Sequence, residues 1–261
     1  MNRQAQGVVL LLLGGAVLKA SLSDMYLRYV KEGLQPFLIA SGALLVVAAI
    51  MTLFYDLTRG PILSAAPGPA DPHAQAAGHA GEPEHGDGGH GDGEHHHEPR
   101  VGWLLILPVL GLLLVAPPAL GSYAAGQSGT ALSTQQLSDY PPLPDGDPVR
   151  TSVLDYASRA LFDKGVSIGD RRVQLTGFIT SGAGGEPLLA RMILSCCAAD
   201  GRPIKLGMEG DPPTGLAPDT WVEVTGRYTD RVGTDAVNGA EIPYLNVESW
   251  RQVDTPKQQY E

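Results

Sequence analysis

Histidine is missing from this sequence outside one stretch, and cysteine is reduced to a single adjacent pair, Cys196 and Cys197. Two neighbouring cysteines cannot build the multi-bridge framework of a small disulfide-stapled domain. A Ser-His or Cys-His nucleophile pair needs a base within reach. Ser195, beside Cys196, has no histidine in its own region and no G-x-S-x-G elbow around it. A basic surplus is also lacking: 18 Lys and Arg stand against 28 Asp and Glu, a formal net charge of −10. That balance offers no cationic patch to nucleic acid. We expect a non-enzymatic protein.

Charge is absent from two long runs near the front of the chain. Residues 36–55, PFLIASGALLVVAAIMTLFY, carry none, and about 20 apolar residues at about 1.5 Å each cross a hydrocarbon core of about 30 Å. Residues 101–120, VGWLLILPVLGLLLVAPPAL, form a second such run, with Arg100 and Trp103 as interfacial anchors and a kink or early stop expected near Pro117. A shorter run at 7–18, followed by Lys19 and Asp24, predicts a further span from Gly7 to Tyr26, with Lys19 snorkelling outward. A cleaved signal peptide is the alternative for that first segment. The chain therefore reads as two helices with a short hairpin (1–58), a loop (59–100), a third span (101–120), a linker (121–146) and a soluble domain (147–261). No basic residue follows the third span before Arg150, which points to a multi-pass protein of the plasma membrane with its C-terminal domain extracytoplasmic.

All 7 histidines lie in the loop: His73, His79, His85, His90, His95, His96 and His97. Gly, Pro and Ala surround them without apolar periodicity, and Asp71, Glu82, Glu84, Asp87, Asp92, Glu94 and Glu98 are interspersed. Imidazole is the commonest ligand for zinc, copper and nickel, and glycine spacers let several rings converge on one ion. We expect a metal-collecting loop for zinc, with nickel or copper as alternatives, the ion being cargo and not a structural element. A passive acidic linker is the rival reading.

The C-terminal region predicts one helix followed by five strands. Asp147-Pro148 reads as a helix start and Lys164-Gly165 as its stop. Residues 172–180, 188–197, 204–208, 221–229 and 244–250 have strand character, with turn signals at Asp200-Gly201 and Asn238-Gly239. That number and spacing predict a small barrel of the oligonucleotide/oligosaccharide-binding (OB) type. Strand parity through 188–197 sets Cys196 with the core-facing residues and Cys197 on the wetter face. The pair could add thiolate ligands, act in redox chemistry or simply pack.

Two spans, a His-rich loop, a third span ending PPALGSYAA and a β domain carrying ILSCCAADGRPIKLGM together resemble the YcgQ-like family of permease subunits. The most specific segments are Pro117–Ser122 and Cys196–Asp200. The resemblance implies a separate multi-span permease subunit as partner. Our expectation is an accessory subunit of a permease system, handling a divalent metal through its loop and set in a lipid bilayer. A membrane-tethered binding module, its OB-like domain recognising a protein or small ligand, is the alternative.

Overall fold

The computed structural model describes residues 3–58, 118–132 and 140–261, with Gly111 alone between them. These fall into two compact units: a helical one within residues 1–15 and 42–115, and a larger one built from 16–41 with 116–261.

In the first unit, the N-terminal part of helix α1 (Arg3–Leu22) runs against the C-terminal part of helix α2 (Gln35–Thr58). Their close approach needs small residues: a Cβ on Gly7 would stand 2.7 Å from Leu53 Cγ. Pro36 sits in the first turn of α2, where a missing N–H costs nothing. Of the described helices, one is long and apolar enough to cross a membrane, the 24-residue segment Glu32–Tyr55, and only 11% of its most apolar window is buried. That low burial separates it from the core helix of a soluble domain, and its properties suit a membrane anchor or a signal segment. The expected first span is corrected in one respect. The α-helix stops at Leu22, with an apolar stretch Gln6–Leu22 at the short end of what a span requires, and Tyr26 belongs to a separate 3-10 turn, Asp24–Arg28. Ser21 Oγ donates to Val17 O and Ser23 Oγ to Ala20 O, hydrogen bonds that divert the end of the helix. The expected span at 101–120 lies almost wholly outside the described residues.

In the second unit, strands β1 (Val149–Arg150), β2 (Val173–Ser181), β3 (Pro187–Ile193), β4 (Arg202–Gly210), β5 (Trp221–Thr234) and β6 (Glu241–Gln252) form one sheet in the order β1-β2-β3-β4-β6-β5. An additional β2–β5 pairing closes the five long strands into a barrel. Neighbours in the barrel are antiparallel except β4 and β6. The small closed barrel is consistent with the OB type. Gly239, at φ +71°, supplies the left-handed residue in the β5–β6 connection that Asn238-Gly239 announces.

Helix α3 (Ser122–Gln127) and helix α4 (Val153–Phe162) pack on this sheet. Helix α4 buries Val153, Tyr156, Ala157 and Ala160 against the barrel interior, where Leu175, Leu189, Ile204, Leu206 and Leu245 are also buried. Its start differs from the expected Asp147-Pro148. Val149 and Arg150 pair instead with Val173 and Gln174, and Ser152 becomes the N-cap by accepting from Asp155 N at 2.9 Å. Asp147 is engaged by Arg172 at 2.8 and 2.9 Å.

Much of the segment expected as a linker packs on the outside of the barrel. Helix α3 buries Ala125 with Phe178, Ala190, Met192, Leu194, Trp221 and Tyr260. Farther along, Ala131 N donates to Pro203 O at 2.8 Å, and Thr130 Oγ1 accepts from Lys205 N at 3.1 Å. At the other end of the chain, Leu194 N donates to Glu261 O and Glu261 N to Met192 O. Most residues of β3 and β4 are consequently buried on both faces.

Candidate functional site

Strand β3 ends at Ile193, four residues earlier than the sequence pattern extends, and the chain then turns through the 3-10 segment Ala198–Asp200. The alternation that would bury Cys196 stops with the strand. Cys196 is exposed and Cys197 half-buried, the reverse of the expected assignment. The Asp200-Gly201 turn signal marks the end of this bend.

Asp200 organises the bend. Its Oδ1 accepts from Ser195 N at 2.9 Å, while Oδ2 accepts from Cys196 N at 2.8 Å, from Cys197 N at 3.3 Å and from the Cys196 thiol at 2.9 Å. The Cys197 sulfur accepts the Asp200 N–H, so side chain and backbone cap one another reciprocally. The carboxyl is held down to about 2, first by the Cys196 thiol bond and then by the backbone N–H groups of Cys196 and Ser195. The Cys196 thiol is pushed up to about 11, first by its bond to the Asp200 carboxylate and next by its contact with Cys197. A thiol held that high is overwhelmingly protonated at neutral pH and makes a poor nucleophile, which weakens the redox reading.

The ligand atoms of Cys196, Cys197 and Asp200 all lie within 4.8 Å of one another. Two soft sulfur donors and one hard oxygen suit zinc or a neighbouring transition metal. Bound to one ion, these three groups would leave a coordination position open among the described residues, which suits a site that exchanges its ion or a ligand more than a closed structural site. Of the sequence-derived metal ligands, the structure brings Cys196 and Cys197 together. His73, His79, His85, His90, His95, His96 and His97 lie outside the described residues. Asp200 is the candidate ligand that the sequence reading missed: beside Gly201 it has the look of a turn residue, although the spacing Cys-Cys-x-x-Asp is a usable signal.

Residues between α1 and α2 cover one side of this turn. Lys31 N donates to Cys196 O at 3.1 Å, Ala198 N donates to Tyr29 O at 2.7 Å, and Val30 bridges Cys197. Tyr260 continues the contact, donating to Arg28 O at 2.9 Å and accepting from Leu120 N at 2.8 Å. Asp24 pairs with Lys257 at 2.8 Å. Beside them a groove of about 430 Å3 is lined by Arg28, Leu120, Tyr123, Phe178, Asp219 and Trp221, among others. No curated protein and no solved structure matches the chain. Residues 165–261, which include every long strand of the barrel and the Cys196–Asp200 bend, match the DUF1980 C-terminal domain, an uncharacterised family.

Proposed function

We propose that this chain is a multi-pass membrane accessory subunit of a permease system that handles a divalent metal such as zinc. The convergence of Cys196, Cys197 and Asp200 within 4.8 Å on an exposed turn carries the reading. In this view the loop histidines gather the ion on one side of the membrane, and the cysteine turn, in an extracytoplasmic domain beyond the third span, presents or receives it on the other, the permease subunit carrying it across. The partner is a separate multi-span permease subunit, as the resemblance to the YcgQ-like family implies. The part is one of binding and hand-over, not of bond-making catalysis.

Binding must expel the Cys196 proton, so affinity for zinc should rise as pH increases from about 6 to about 8. The test is calorimetry with zinc on the purified full chain, on a chain lacking residues 73–97 and on C196S/C197S. The deletion should remove several weak sites, and the double substitution should remove a tighter one. Unchanged titrations for both variants would sink the proposal.

The alternative, a membrane-tethered binding module, finds support in the groove beside Trp221 and Tyr123. Substitutions in the groove, such as Trp221→Ala, would then abolish function while loop deletion left it intact. An oligonucleotide on the face of β3 and β4 is disfavoured, because the chain's own residues 130–131 and 260–261 already bond to those strands or their ends.

A further inference from the structure

The backbone around the cysteine turn is shared with the hairpin that joins the two N-terminal helices, and this sharing deepens the metal reading on which it rests. Cys196 and Ala198, which flank or belong to the proposed ligand set, each spend a backbone group on that hairpin: Cys196 O accepts from Lys31 N and Ala198 N donates to Tyr29 O. Cys197 lies between them and is bridged by Val30. The clasp therefore fixes the backbone on both sides of Cys197 and limits where the two sulfurs can point.

We propose that metal capture at Cys196, Cys197 and Asp200 is thermodynamically coupled to docking of the Tyr29–Lys31 segment. The sign is positive. A docked hairpin holds the sulfurs near the carboxylate before the ion arrives, so less ordering remains to be done on binding. Reciprocity follows: an ion that binds the ordered turn more tightly must favour the docked hairpin by the same factor. The hairpin leads directly into α1 and α2, so the state of the metal site reaches those helices through two backbone hydrogen bonds.

Lys31 offers a clean perturbation. Its φ of −61° is already that of proline, so Lys31→Pro removes the N–H that reaches Cys196 without forcing the backbone angle. The preceding Val30, in an extended bridge, tolerates a following proline. Lys31→Ala keeps the N–H and controls for the lost side chain. Cobalt(II) is the probe for both, because its thiolate charge-transfer absorption reports cysteine ligation alone and is blind to the loop histidines. In the full-length protein, Lys31→Pro should bind cobalt about 5- to 10-fold more weakly than Lys31→Ala, the worth of one hydrogen bond. Equal affinities would overturn the coupling while leaving the metal site standing. Absence of thiolate absorption in the native chain as well would overturn the metal reading and the coupling with it. Hydrogen exchange provides a second measurement in the unmodified chain. Zinc should slow exchange of the Lys31 amide severalfold and leave the remote Ile179 amide unchanged; a Lys31 rate that zinc does not alter would contradict the coupling.

Discussion

Asp200 takes four donors on two oxygens, and only one of them, the Cys196 thiol, is titratable. That hydrogen bond is the first cause of both the low carboxyl and the high Cys196 thiol, with backbone N–H groups adding to the one and Cys197 to the other. The carboxyl, depressed on folding, contributes stability that is present above its ordinary value near 4 and lost as pH falls through about 2. The thiol, raised on folding, contributes stability that is complete below its ordinary value near 9 and lost as pH rises through about 11. The bend should therefore hold across the physiological range and loosen only at the extremes, which the chemical shifts of Ser195 and Cys196 amides would follow. Asp200→Asn in a Cys197→Ser background removes the negative acceptor, and alkylation of Cys196 at about pH 8 should accelerate about tenfold. An unchanged rate would show that the carboxylate does not govern the thiol.

Among the elements, α4 shows where the sequence was legible and where it was not. Its apolar spacing and its stop near Lys164-Gly165 are legible directly, because they depend on neighbours within a few turns. Its start is not: Asp147-Pro148 is a good local beginning, but pairing of Val149 with Val173 draws those residues into the sheet. Ser152→Ala should cost about 1 kcal/mol in denaturant unfolding, whereas Asp147→Ala should leave the helix intact. The five long strands are legible from β-rich runs and turn residues. The orientation of Cys196 is not, since parity assumes a strand through residue 197 and β3 stops at Ile193. What bends the chain there is Asp200 together with backbone from residues 29–31, a partner that no local pattern announces.

At the scale of the barrel-containing unit, the gap beside β4 is closed by residues from outside the strands. Lys205 and Asp235 form a pair at 2.9 Å with side chains 5% and 3% exposed, and Asp235 also accepts from Thr130 N at 2.7 Å and Val237 N at 2.9 Å. The network fastens residues 130–131 to β4 and to the β5–β6 connection. Removing one charge strands the other in a dry site, so Lys205→Met should destabilise the domain by about 3 kcal/mol, measured by chemical denaturation. The double substitution Lys205→Met with Asp235→Leu should recover part of that loss, a non-additivity that a double-mutant cycle would quantify.

The clasp at Lys31 and Cys196 also imposes an order on biogenesis. Its two halves are 165 residues apart (196 − 31), and at about 5–20 residues per second the hairpin is made roughly ten to thirty seconds before the turn that it holds. Strand β5, which closes the barrel against β2, comes later still. The thiols thus emerge after the segment that shelters one side of them has been made, but before the barrel has closed. A chain stalled before β5 would therefore hold residues 29–31 and the Cys196–Asp200 bend together with the barrel still open.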